Sequence, residues 1–441
     1  METFLPPIPR HRRVCTRGGQ DVRFLARAVM AVVAVITMVS GTSCAGTTGR
    51  SASPTALAEA GAGYVAVRDD RPDSAGVVTF FAIGDSGDPG AVRDRVAGVL
   101  RTQVGAVSAR EVRPFVLMAG DNLCPDGLPS GWPTTYLPGL LLDRAFDQPF
   151  GDTRYHGSAV SFNVVPGEHD DRADGYLWET FAERRFDGRN GRARMIFFPY
   201  HSPLVEDTNS RAEYDGLRAV ADSGGVVNLP EEVGIATDRL SIIALDTEAM
   251  IDLAAENSPR ARTAWRQQWD ELARLLALHR ALPWIVILGH HPIVTHGRHG
   301  GYRPWPMGLH IDKAVAGLRG LLHLGDRQDT DHKAYRRFVA HLRASIRACA
   351  GPRCVYISGH DHSLQVLDAG GGLVQVVSGA ASKTSAVSTG PDTIFSARGP
   401  GLFRFDLAGN ELWIEPIEAE PDDHAAAMPI LRFRASGKHD K

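Results

Sequence analysis

The sequence has no excess of charge of either sign. Its 441 residues hold 48 Lys and Arg against 51 Asp and Glu, a net of −3 with histidine neutral. Without a basic field to hold a polyanion, nucleic acid is not an expected partner. Long apolar runs are also missing: the run Ala28–Val39 falls short of the roughly 20 residues that cross a bilayer comfortably. No internal repeat is present, which sets aside solenoids and propellers. Cysteine is sparse, at five residues, and two of them (Cys15 and Cys44) fall near the N-terminus. What remains, 43% hydrophobic and 22% charged residues, is the composition of a soluble globular protein, long enough for one large domain or two to three small ones.

The N-terminal region differs from the rest. Arg10, Arg12, Arg13, Arg17, Arg23 and Arg27 precede the apolar run, which yields to the small residues Ser40–Gly46. That order describes a secretory signal over residues 1–44. Three outcomes fit it: cleavage leaving a lipid on Cys44, simple secretion, or an uncleaved anchor. Gly41 stands where the bacterial lipoprotein pattern has an aliphatic residue. The expected location is outside the cell, free or held at the outer face of the membrane, with membrane contact only through an N-terminal lipid or signal anchor. Residues 45–76, rich in Ala, Gly, Ser, Thr and Asp, read as a flexible tether. Residues 77–420 read as the main folded domain, with an insertion at about 300–335, and residues 421–441 as a tail.

Val77–Ile83, Phe115–Ala119, Phe162–Pro166, Trp284–Leu288 and Cys354–Ser358 are short runs suited to strands buried on both faces. Met195–Phe198, Leu240–Leu245 and Val374–Ser378 extend the series. Helical spacing appears over Pro89–Val104, Ala261–His279 and Tyr335–Cys349, and Leu402–Leu407 with Glu411–Ile417 reads as a hairpin. The periodicity predicts an α/β protein. Cys349 and Cys354 flank the turn-forming Ala-Gly-Pro-Arg; they form a disulfide in an oxidising compartment, or remain two thiols.

The chemistry sits at the ends of five strands: Gly84-Asp85-Ser86-Gly87, Gly120-Asp121-Asn122, Gly167-Glu168-His169-Asp170, Gly289-His290-His291-Pro292 and Gly359-His360-Asp361-His362. Glycine lets the chain turn sharply out of a strand, so the next side chain projects from the sheet edge. Five such edges in one sheet bring carboxylates and imidazoles together, as a two-metal hydrolytic site requires.

On these motifs the chain resembles the calcineurin-like metallophosphoesterases, and most closely the small purple, tartrate-resistant-type acid phosphatases. Gly-Asp-x-Gly at 84–87, Gly-Asp-Asn-Leu at 120–123 and Gly-His-Asp-His-x-Leu-Gln at 359–365 carry the resemblance, with His299 nine residues after His290. Weaker echoes are Pro199–Pro203, Leu245-Asp246-Thr247 and Val377–Ala380. The resemblance implies two packed mixed β-sheets flanked by helices, an αββα sandwich. It implies two metal ions (Fe, Zn or Mn), one held by Asp85, Asp121 and His362. Asp121 would bridge to the other, held with Glu168, His290 and His360. Such ions polarise phosphoryl oxygens and bring the pKa of bound water near 7, so that hydroxide attacks phosphorus. His169 would then stabilise phosphoryl oxygens, and His299 would orient the substrate or protonate the leaving group; either could instead be a surface histidine. Asp170 is expected to brace a ligand histidine, and Asp361 to support its turn. His291 stands in place of a usual tyrosine, and neither it nor His296 has an assigned role.

Two positions depart from the pattern. Cys124 replaces the tyrosine that binds ferric iron in purple enzymes, and is either a thiolate ligand or a packed thiol. Glu168 replaces a neutral asparagine and adds negative charge to a site meant for an anion. Gly87 stands where the wider superfamily has a ligand histidine. The implied function is an exported phosphatase acting on a phosphomonoester or a related phosphoester. The alternatives are a phosphodiesterase, or a catalytically impaired relative that binds a phosphorylated ligand or partner. The insertion at 300–335 carries substrate selectivity or is an inert surface excursion.

Overall fold

The computed structural model describes residues 64–67, 72–123, 127, 141–170, 192–198, 229–233, 237–302, 327–349, 353–419 and 430–434. Cys44, Cys124, the signal region, the segment 199–203, most of the tail and most of the insertion lie outside them. Among the described residues no helix is long and apolar enough to cross a membrane.

Strands are numbered along the chain. The first sheet runs in the order β1 (Tyr64–Val67), β17 (Ile430–Arg434), β16 (Glu411–Glu418), β15 (Gly401–Ala408), β2 (Val78–Ile83), β3 (Phe115–Ala119), β6 (Ser161–Val165), β7 (Arg194–Phe197). β2, β3, β6 and β7 are parallel, and the rest of the sheet is antiparallel. The second runs β14 (Thr393–Ala397), β12 (Leu364–Asp368), β13 (Leu373–Ser378), β11 (Arg353–Ser358), β10 (Trp284–Leu288), β9 (Leu240–Ala244), β8 (Glu231–Glu232). Its centre, from β9 to β13, is parallel. A separate short hairpin pairs β4 (Arg154–Tyr155) with β5 (Ser158–Ala159).

Alternation along the strands decides the layers, because successive side chains point to opposite faces. Phe80 and Ala82 face Val286, Leu288, Val355 and Phe405 in a core between the sheets. Their neighbours Phe81 and Ile83 pack outward on helix α1 (Ala91–Gly105) through Val96, Leu100 and Val104. On the other side Ile285 and Ile287 meet three helices: α2 (Thr247–Ala255), α3 (Pro259–Leu278) and α4 (Lys333–Ala348). This is the αββα sandwich. Caps fix where the helices begin: Asp246 accepts from Ala249 N at the start of α2, and Ser258 from Ala261 N at the start of α3, each satisfying a donor the helix leaves unpaired.

Three expectations need correction. Tyr64–Val67, in the expected tether, and Ile430–Arg434, in the expected tail, pair antiparallel as β1 and β17. Both runs are short; β1 pairs only with the distant β17, and β17 also pairs with the preceding strand β16. Cys349 and Cys354 are free thiols. Cys354 is buried at the start of β11, whereas Cys349 caps α4 and its Sγ turns to the carbonyl of Leu276 at 3.1 Å. Burial pushes the Cys354 thiol up to about 12. The third correction, on Asp170, belongs with the site.

Candidate metal centre

All five motif turns leave the C-terminal ends of parallel strands: β2, β3 and β6 in one sheet, β10 and β11 in the other. In open α/β sheets that edge is where ligands bind. Hydrogen bonds tie the turns to one another, within each sheet and, through the last of the three, between the sheets. Asp85 N donates to Gly120 O, Gly359 N to His290 O, and His360 N to Asp85 Oδ2.

Backbone strain concentrates at the same edge. Among the described residues four non-glycine residues have positive φ, and three of them are Asp85 (56°), Asp121 (53°) and His360 (68°). The fourth, His156, sits in the β4–β5 turn. A non-glycine residue in this region costs on the order of 1 kcal/mol or more and persists where the surroundings over-determine it. Gly120 adds a positive φ of 84°, and a Cβ there would lie 2.5 Å from His290 Nδ1. The site is closed tightly enough that only glycine fits beside its ligand candidates.

At its base lie His290, His291 and His360, with fully buried side chains. Glu168 Oε2 is 2.6 Å from His290 Nε2 and 3.1 Å from His360 Nδ1, and those two nitrogens are 3.3 Å apart. His290 Nδ1 lies 2.7 Å from Ala119 O, and His360 Nε2 lies 2.9 Å from Gln328 O. A ring nitrogen facing a carbonyl must carry a proton, so His290 Nδ1 and His360 Nε2 are donors and each ring turns its other nitrogen to Glu168. Asp121 Oδ1 is 3.6 Å from His290 Nε2. The mouth is more open: side-chain exposure is 26% for His169, 21% for His299 and 32% for His362. His169 Nε2 reaches to 3.8 Å of Asp121 Oδ2, and His362 Nε2 to 3.5 Å of Asp85 Oδ1.

Among the described residues three groups of donor atoms lie close enough together to hold an ion: Glu168, His290, His291 and His360; Asp85, Asp121 and His290; and Asp121, Glu168 and His169. His290 therefore stands between two positions, and His362 touches the group through Asp85 alone. Asp85 Oδ1 is buried and has no hydrogen-bond partner, although buried polar atoms are nearly always satisfied.

Burial and then the Glu168 carboxylate push Asp121 well above the carboxylate range. Burial would also raise Glu168, but His360 and His290 overcome it and hold Glu168 well below its ordinary value. Burial would lower His360; Glu168 reverses this and lifts it to about 9. The extra charge of Glu168 is thus met by two imidazoles. Burial lowers His291 well below the imidazole range, and His360 and His290 add to the effect.

Asp170 does not brace a histidine. Its carboxylate accepts from the backbone N–H of Asn122, Leu123 and Gly167 and from Asn122 Nδ2, each at 2.9 Å. It ties the second-motif loop to the third. Asp361 supports the turn as expected and reaches further, accepting from Thr295 Oγ1 at 2.5 Å and His299 N at 3.1 Å. His299 packs at a tilt of 36° against His360, ring centroids 4.0 Å apart, and its Nδ1 meets Asp329 Oδ1 at 3.2 Å. The motifs left out Thr247, Glu248 and Gln328, which surround His291. Thr247 lies in the weak Leu-Asp-Thr echo after β9, whereas nothing in the sequence singles out Gln328.

No protein-family model and no curated protein sequence matches the chain. Among solved structures, GAP50, the anchor in the inner membrane complex of Plasmodium, is similar at 12% identity and a TM-score of 0.54. The alignment covers 82% of this chain and 90% of that one. What the two share is the fold. The purple acid phosphatase PPD1 from yellow lupin seeds aligns at 11% identity and TM-score 0.43, over 82% of this chain and 54% of that one. PhoD aligns at 12% identity and TM-score 0.40, over 82% and 70%. The fold likeness rests on the first of the three, whose TM-score alone among them exceeds 0.5.

Proposed function

We propose that the chain is an exported, metal-dependent phosphoric ester hydrolase of the metallophosphoesterase superfamily, acting on a phosphomonoester. The observation that carries this reading is the buried Asp–Glu–His donor set at the shared edge of the two sheets, with three of its members in strained backbone. Carboxylate oxygen and imidazole nitrogen suit Fe, Zn or Mn, and the orphaned Asp85 Oδ1 suits a ligand atom better than a structural one. In this reading Asp85, Asp121 and His362 hold one ion, and Asp121, Glu168, His290 and His360 hold the other. Bound ions would supply Lewis-acid polarisation of the phosphoryl oxygens and a water of lowered pKa.

The chain's own residues do the rest. His169, at the mouth, donates to phosphoryl oxygens. Asp329 at His299 Nδ1 leaves Nε2 to give a proton to the departing oxygen, general-acid work. Asp361 holds the loop that carries His299. Elemental analysis of natively purified protein, paired with an aryl-phosphate assay across pH, tests the reading. Asp121→Ala should abolish turnover and binding of two metals per chain, and retention of both metals would overturn the bridge.

A second reading has its own support. Glu168 Oε2 already meets both His290 and His360, so the acid–imidazole cluster is closed on itself at a position where the family has asparagine. On this reading the chain binds a phosphorylated ligand without turning it over. Purified protein with no metal and no turnover, but with measurable binding of inorganic phosphate, would select it.

A further inference from the structure

His291 is hydrogen-bonded differently from the two histidines beside it. Thr247 Oγ1 accepts from the backbone N–H of both His290 and His291, at 3.2 Å each. A hydroxyl has two lone pairs and one proton, so its proton is left for His291 Nδ1, 2.8 Å away. With Nδ1 accepting, the neutral ring carries its own proton on Nε2 and directs it at Gln328 Oε1, at 2.6 Å. The far end of the amide agrees with this orientation, because Gln328 Nε2 donates to both oxygens of Glu248 at 3.2 and 3.1 Å. By position His291 is a further candidate ligand: its Nε2 is 3.9 Å from Glu168 Oε2 and falls in the same donor group as His290 and His360. By chemistry it is a donor, and a protonated nitrogen binds no metal.

We propose that Gln328, by holding the Nε2 proton of His291, keeps that histidine out of the metal centre and so sets how many protein ligands the second ion meets. The inference rests on the metal-dependent reading of the site. Gln328 acts on two rings at once. Its main-chain carbonyl fixes His360 with Nδ1 turned to Glu168, and its side chain withholds His291. Asp121, Glu168, His290 and His360 already stand to hold that ion, and a catalytic site keeps a further position open for water or substrate rather than filling it with one more side chain. Gln328 is therefore a positioning residue that keeps the centre open.

Zinc affinity, measured by competition with a chromophoric chelator, and the visible spectrum of the cobalt(II)-loaded protein test this. The wild type should show the weak absorption of five- or six-coordinate cobalt. Glu248 Oε2 is the more distant contact of His291 Nε2, at 3.3 Å; Gln328→Leu removes the near one, so zinc should bind roughly tenfold tighter or more, on the scale by which outer contacts tune metal affinity. Its cobalt spectrum should shift as an imidazole takes the place of a bound water. Adding His291→Asn should return both readouts to wild type, and Gln328→Glu, which keeps an acceptor for the Nε2 proton, should resemble wild type throughout. A folded Gln328→Leu protein with unchanged affinity and spectrum overturns the role of Gln328. So does His291→Asn alone weakening zinc tenfold, which would make His291 a ligand already and needs no Gln328 variant to fold. Wild-type protein that binds neither metal overturns the metal-dependent reading as well.

Discussion

Asp170→Asn isolates the tie between the two loops that carry Asp121 and Glu168. The carboxylate accepts from four buried N–H groups. Asparagine keeps one acceptor oxygen and replaces the other with an amide that donates. In the orientation that still serves Asn122 N and Leu123 N, the new NH2 faces Gly167 N and Asn122 Nδ2. An unsatisfied buried donor costs about 1–3 kcal/mol, so two such conflicts cost about 2–6 kcal/mol. Part is recovered, because burial raises the pKa of Asp170 and its charge is costly to keep inside. A net loss of about 2–4 kcal/mol is expected in urea unfolding, with an unchanged m-value as the sign that only stability moved. Amide exchange should also quicken at residues 120–123 and 167–169 before it does in β2. A variant within about 0.5 kcal/mol of wild type, the range of neutral surface changes, would refute the reasoning and mean that the loops are held by something else.

Glu248 gives a pH signature. Burial lifts it from 4.5 to about 7, so the folded state holds its proton after the unfolded state has lost it, and stability falls between those values by about 3 kcal/mol. Glu248→Gln should flatten that part of the pH–stability curve and be the more stable protein above pH 7. Glu168→Asn removes the extra negative charge and should raise kcat/KM for a phosphomonoester and lower its pH optimum, with metal content checked in both proteins. A slower variant with both ions and an unchanged optimum would show that the carboxylate is an adapted ligand. Alkylation of the unfolded, unreduced protein should label both Cys349 and Cys354, and prior reduction should add no further label at either.

The parts of this fold that were legible in the sequence are those governed by local rules. Buried strands followed by a glycine turn announced Asp85, Asp121, Glu168, His290 and His360, and the structure places all five at one edge. The 3.6-residue period did the same for α3. Side-chain partners that meet only through tertiary packing left no such trace. Gln328 reaches His291 from a stretch read as an insertion, and Asp170 bonds to a loop rather than to the histidine a motif suggests. The spacing of Cys349 and Cys354 was compatible with a bridge, but it could not say that one thiol would point into the core and the other toward Leu276.

The strand order of the first sheet also bears on how the chain can fold as it is made. β2 is among the first strands synthesised, yet one of its two neighbours is β15, and β1 waits for β17. Until the last strands emerge, β2 presents a bare edge of apolar residues to whatever else is nearby. Such distant pairings are slow to form and leave sticky intermediates. Ribosome-bound chains truncated before Gly401 should therefore depend on chaperones and be readily cleaved by protease, becoming resistant only once the antiparallel half of the sheet has been delivered.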